Sequence, residues 1–211
     1  KRLHWTLICL VGILLVSGAW NEAQATQLPP PPPVPPETAL SSEAPAIPSQ
    51  SLDFSPLKAV LVVGPIDGSD GDHTTREKAN MDLVAAELEG HGVTVERLYT
   101  PQDDWAKVRT AADGAHFFFY RGHGVYWPSS PDSSVGGIYL SSGSVSPEQM
   151  RDELHLAPNA IVMIYGCFAA GSSSSDDGAI GSEEARRRVA EYADPFLDVG
   201  ASGYYSNWFG N

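Results

Sequence analysis

The sequence predicts an α/β fold, a mostly parallel sheet with helices on both faces. Two observations carry this. Short apolar runs bounded by Gly and Pro alternate with stretches of helical spacing, from about Leu57 to Asn207. The strongest of those runs are apolar throughout, as strands buried on both faces are.

The elements follow in order. "LKAVLVVGP" (57–65) is a β-branched run closed by Gly and Pro, hence a buried strand. "TREKANMDLVAAELEGHG" (75–92) places Met81, Val84, Ala85 and Leu88 at helical spacing and stops at Gly90 and Gly92. "VTVERLY" (93–99) alternates as a strand does. "QDDWAKVRTAADG" (102–114) is a second helix and "AHFFFY" (115–120) a third strand. "GGIYLSSG" (136–143) reads as a small hairpin. "SPEQMRDELHL" (146–156) is a third helix, capped by Ser146, with Pro147 at its first position and Gln149 completing a box-like start. "NAIVMIYG" (159–166) is a fourth strand. "SEEARRRVAEYADPFLDVG" (182–200) is a fourth helix, interrupted or kinked at Pro195, and "ASGYYSN" (201–207) is a fifth strand.

The segment before the first strand has a different composition. Lys1 and Arg2 precede "LICLVGILLV", and "AQA" at 23–25 resembles a cleavage site, so 1–25 reads as a secretory signal or, alternatively, an uncleaved membrane anchor. "QLPPPPPVPPETALSSEAPAIPSQS" then reads as an extended spacer over 26–53. The folded domain is expected to begin near Phe54 and occupy 54–211, in a secreted or extracytoplasmic protein that the N-terminal segment either tethers or releases. Cys9 lies in the signal. The domain itself keeps one thiol, Cys167, which excludes an internal disulfide and marks that thiol as reactive or intermolecular.

The formal net charge of −13 argues against nucleic acid or an anionic lipid surface as partners. It fits a soluble surface, or a site that prefers cationic substrates.

In parallel α/β sheets, chemistry sits at the carboxyl ends of the strands. "HFFFYRGHGVYW" (116–127) sets His123 between Gly122 and Gly124 after the third strand. "NAIVMIYGCFAAGSS" (159–173) stops at Cys167 after the fourth. If those strands are neighbours, their ends lie about 4.8 Å apart. A thiol is a poor nucleophile until an imidazole takes its proton or stabilises its anion. Exposed amides of Gly124 and Cys167 would receive the oxyanion of a tetrahedral intermediate. Together these groups point to acyl transfer, most simply peptide-bond hydrolysis. The plainer alternatives are a small buried cysteine and a hydrogen-bonded structural histidine. No zinc-like spacing of ligands is present, so no metal site is expected.

"YRGHG" after an aromatic strand and "IYGCFAAGS" after an aliphatic one resemble the caspase-like cysteine peptidases, the group of caspases, metacaspases, gingipains, clostripain and legumain. The likeness covers about Leu57 to Asn207. It implies a caspase-like three-layer sandwich and endopeptidase activity, with His123 as catalytic base or acid and Cys167 as nucleophile. The backbone of Gly124 would be an oxyanion donor, and a peptide or protein the substrate. Such folds usually continue with a further helix and strand, so a truncation after Asn211 is expected. Tyr165 stands where metacaspases carry an acid two residues before the cysteine, so their pocket for basic residues is not copied. Arg121 is either a reader of acidic substrate residues or an ion-paired surface charge. Asp67, Asp70 and Asp72 are either a polar turn or a pocket for a substrate Arg or Lys, and His73 lines that pocket or only the loop. No cofactor is required. Calcium regulation would fall to Asp176, Asp177, Glu183 and Glu184, whose plainer reading is a solvated, mobile loop capped by Ser182. The competing function is a catalytically silent caspase-like binding or scaffold module at the cell surface.

Overall fold

The apolar run after Leu57 forms β1 (Lys58–Val63), in which every residue from Ala59 to Val63 is fully buried. Such a strand must have neighbours on both edges and cover on both faces. β2 (Thr94–Tyr99) pairs parallel along one edge and β3 (Ala115–Arg121) along the other. β3 pairs with β7 (Leu156–Tyr165), and β7 with β8 (Ala201–Ser206), both parallel. The sheet order is therefore β2-β1-β3-β7-β8. This is a computed structural model that describes residues 57–127 and 135–207. The expected signal (1–25, with Cys9), the spacer (26–53), the domain start at Phe54 and the truncation after Asn211 lie outside the described residues.

The α/β class and the mostly parallel sheet are as the sequence predicts. Among the described residues four helices flank the strands: α1 (Asp72–Gly90), α2 (Trp105–Ala112), α3 (Pro147–Glu153) and α4 (Ser182–Asp198). Alternate residues of β1 sort the cover into two layers. Leu61 and Val63 pack with Met81 and Ala85 of α1. Val60 and Val62 belong to the larger cluster with Val108 of α2, Met150 of α3 and Phe196 of α4. None of these helices is long and apolar enough to cross a membrane.

Several boundaries differ from expectation, each for a local reason. α1 starts at Asp72 rather than Thr75, because Asp67 supplies acceptors for its first amides. α2 starts at Trp105, where Asp104 Oδ1 accepts from the Lys107 amide at 3.1 Å. α3 keeps its expected start, with Ser146 Oγ accepting from the Gln149 amide at 3.1 Å. It ends at Glu153 because Leu154 is extended, so His155 lies beyond the helix rather than in its last turn. α4 runs through Pro195 without interruption. The Glu191 carbonyl, whose helical donor Pro195 removes, faces Gly136. The cap position is Gly181, and Ser182 is the first helical residue. The expected hairpin is a three-stranded antiparallel sheet of β4 (Gly124–Tyr126), β5 (Val135–Leu140) and β6 (Gly143–Val145).

The chain runs from β1 outward to β2 and then returns to the other side of β1 for β3. Strand order thus reverses between β1 and β3, and loops leaving that point diverge and open a crevice at the carboxyl ends.

Candidate active site

Register fixes what meets at that crevice. Arg121 at the end of β3 is paired with Tyr165 at the end of β7, and the Gly122 amide donates to the Tyr165 carbonyl at 3.1 Å. His123 and Cys167 each stand two residues beyond this matched pair. Both line one open pocket, together with Ile66 and His73 from the β1–α1 segment. Cys167 is half-buried and is the one cysteine among the described residues; His123 is exposed.

The glycines make this approach geometrically feasible. A Cβ on Gly124 would lie 1.9 Å from the Cys167 carbonyl oxygen and 2.5 Å from the Tyr192 hydroxyl. One on Gly122 would lie 2.2 Å from the Tyr120 hydroxyl. Gly166 is less tight, its nearest neighbours being the Gly122 carbonyl oxygen and the Gly124 amide nitrogen at 3.1 Å. The backbone of the histidine loop therefore lies against that of the cysteine loop, closer than any side chain allows. Phe168, immediately after Cys167, has φ +67°, a left-handed conformation costly for a bulky residue. Its N–H donates to the Ser172 carbonyl at 3.2 Å, its carbonyl accepts from the Gly171 amide at 2.7 Å, and its ring faces Tyr126 at 6.4 Å.

Backbone groups orient the histidine. Its Nε2 lies 2.7 Å from the Ile66 carbonyl oxygen, which only accepts, so Nε2 carries the proton. Nδ1 is then the nitrogen left to exchange one. The His123 carbonyl is held in turn by Tyr120, whose hydroxyl is shared between that oxygen and the Tyr139 carbonyl at 2.9 Å each. The same hydroxyl accepts from the Tyr139 amide at 3.2 Å. Complete burial pushes the Tyr120 phenol well above its ordinary range, so it remains a donor at every relevant pH. Tyr120→Phe is expected to lower stability by about 1–3 kcal/mol, because it strips partners from buried polar groups. Urea unfolding checks this.

The remaining predicted residues divide. His73, Arg121 and Tyr165 line the pocket. The Arg121 guanidinium stacks on the Tyr165 ring at 3.3 Å and pairs with the carboxylate of Glu77. Burial pushes the Glu77 carboxyl up. Hydrogen bonds from Asn80 and Arg121, with the Arg121 and Arg76 charges, outweigh it and hold the group below its ordinary value. Arg76 donates to His73 Nδ1 at 2.6 Å. The pocket wall thus carries two arginines against one carboxylate.

Asp67 and Asp72 are not in that wall. Asp67 turns its carboxylate onto the start of α1, accepting from the amides of His73 and Thr74 and from the Thr74 hydroxyl, each at 3.0 Å. Those amides hold its pKa at about 2. Asp72 is the first residue of α1, and it and Asp70 are exposed. A carboxyl whose pKa falls on folding adds stability above its unfolded pKa and loses it as pH drops through the folded one. The wild-type melting temperature is therefore expected to fall more steeply between about pH 4 and pH 2 than that of Asp67→Asn. Calorimetry across that range reads the difference.

The segment after Cys167 is anchored by side chains of α4 and β8 rather than solvated throughout, the Tyr204 hydroxyl donating to the Ala169 carbonyl at 3.0 Å. Arg188 reaches Asp176 Oδ1 and Glu184 Oε1, each at 2.7 Å, and Asp176 Oδ2 accepts from the Ser173 amide at 2.7 Å. Asp177 and Glu183 are exposed. Among the described residues no three His, Cys, Asp or Glu side chains gather where they would hold a metal ion.

Glu77 was missed by sequence reasoning, although a signal existed. It stands four residues before Met81 and eight before Ala85, on the buried stripe of α1, where a lone charge calls for a partner. The Ile66 carbonyl, a backbone group, left no such signal. Comparisons with protein-family models, curated proteins and solved structures returned no match.

Proposed function

We propose that the chain is an exported, caspase-like cysteine endopeptidase acting through His123 and Cys167. The supporting observation is that a histidine loop and a cysteine loop, each two residues beyond a register-matched pair on adjacent parallel strands, line one pocket at the sheet's switch point. The N-terminal segment supports export.

In this reading Nδ1 of His123 takes the Cys167 proton, and Sγ adds to the carbonyl carbon of the scissile peptide bond. The amides of Gly124 and Cys167 receive the oxyanion. The C–N bond then breaks and the leaving amine takes the proton from His123. Water next gives a proton back to Nδ1 and adds to the thioester, which releases the acid and restores the thiol. The surplus of arginine in the wall favours an acidic residue on the acyl side over a basic one.

Treatment with a thiol-reactive peptide ketone tests this. Mass spectrometry is expected to find the adduct on Cys167, absent in His123→Ala. A folded wild-type protein that forms no adduct and cleaves no peptide would instead be a binding module.

A further inference from the structure

A second, separate groove also borders His123. It is lined by His123, Gly124, Val125, Tyr126, Tyr139 and Ser144. His123 is the one residue it shares with the pocket that holds Cys167. The arginines and the carboxylate belong to the first pocket; this one is lined by two tyrosines, a valine and a serine and carries no charged side chain besides the shared histidine.

From this arrangement we infer that the groove on β4–β6 is a leaving-group subsite, which binds an aromatic or large aliphatic side chain on the residue just after the scissile bond. The inference rests on the endopeptidase reading. In acyl transfer the nucleophile meets the carbonyl carbon, and the proton donor must reach the leaving nitrogen. A groove that adjoins the imidazole but not the thiol lies on the leaving-group side. Its walls then select what departs, while the first pocket selects what stays.

Three observations fit an apolar occupant. Tyr126 and Tyr139 are 58% and 39% exposed and both line the groove, so two large rings in one groove are left open to an occupant. The Tyr139 ring stands edge-on to the His123 ring at 6.2 Å, so an occupant lying on it also shields the imidazole from water. The wall is also rigid. The Tyr120 hydroxyl binds both the N–H and the carbonyl of Tyr139 as well as the His123 carbonyl, which ties groove and base into one unit. A fixed wall binds without first losing conformational freedom.

The test is a peptide library randomised on both sides of the scissile bond, digested by the full chain, with cleavage sites read by mass spectrometry. Peptides with Phe, Tyr or Leu after the cleaved bond are expected to exceed those with Gly in kcat/KM by about tenfold or more. That ratio is expected to collapse toward one in Tyr139→Ala and to shrink in Tyr126→Ala, whose exposed ring makes misfolding no explanation. Cleavage with no preference after the bond, or a preference that survives both substitutions, would overturn the subsite and leave the peptidase standing. Absence of cleavage together with absence of a Cys167 adduct would overturn both.

Discussion

Gly124→Ala is expected to cost about 100-fold in kcat/KM, with Cys167 labelling slowed to match. The added methyl would sit 1.9 Å from the Cys167 carbonyl oxygen and 2.5 Å from the Tyr192 hydroxyl. Real Cβ atoms do not approach anything so closely, so one loop must retreat. Neither retreats cheaply. The Tyr192 hydroxyl is buried and accepts from the Val125 amide at 2.8 Å, and the Cys167 carbonyl belongs to the turn strained at Phe168. A displacement of about 1 Å between reacting groups is enough for a 100-fold loss. Gly166→Ala is the control. Its new Cβ meets backbone at 3.1 Å, which a shift of a few tenths of an ångström relieves, so its loss should be several-fold at most. Labelling kinetics on both variants, with melting curves to show that each is folded, separate displacement from collapse. Equal rates for Gly124→Ala and wild type would mean that the two loops are not the reacting pair.

Glu77→Ala is expected to lower stability by about 3 kcal/mol, or roughly 10 °C in melting temperature for a domain of this size. Glu77 is 7% exposed and its Arg121 partner is held under the Tyr165 ring, so removing the carboxylate strands a guanidinium that water reaches poorly. Adding Arg121→Met should recover most of the loss, because replacing both partners of a buried pair by apolar groups costs little. The pair also predicts an acid response. The folded-state pKa of Glu77 lies below its ordinary 4.5, so its stabilisation is complete above that value and disappears as pH falls beneath it. Melting temperatures of wild type and Glu77→Ala should therefore converge as the solution is acidified. If Glu77→Ala melts with wild type at neutral pH, the pair is a surface contact and the pocket wall does not depend on it.

Much of this was legible in the sequence, because the relevant signals are local. β3 and β7 announced themselves as apolar runs, and each stop at glycine put a histidine or a cysteine at a strand's carboxyl end. Ser146 and Pro147 marked the start of α3 through rules that span four residues. What could not be read is non-local. Nothing in "LKAVLVVGP" says that β3 will lie beside it, and that adjacency is what turns two strand ends and the Ile66 loop into one pocket. The aspartates after β1 show the same limit at shorter range. They read either as a polar turn or as a charged pocket, and the turn is what Asp67 makes: the first turn of α1 leaves amides unpaired, and its carboxylate satisfies them. β4 escaped notice because three residues carry no period.

The group that steers the imidazole is a main-chain oxygen, that of Ile66. Point mutation at position 66 can alter the side chain but not delete that acceptor, and no shift in acidity switches it off. Catalytic histidines held by an aspartate can be disarmed by a single codon change or by acid. Here the proton's address is written into the path of the chain, so sequences can drift at that position while the ring keeps its orientation.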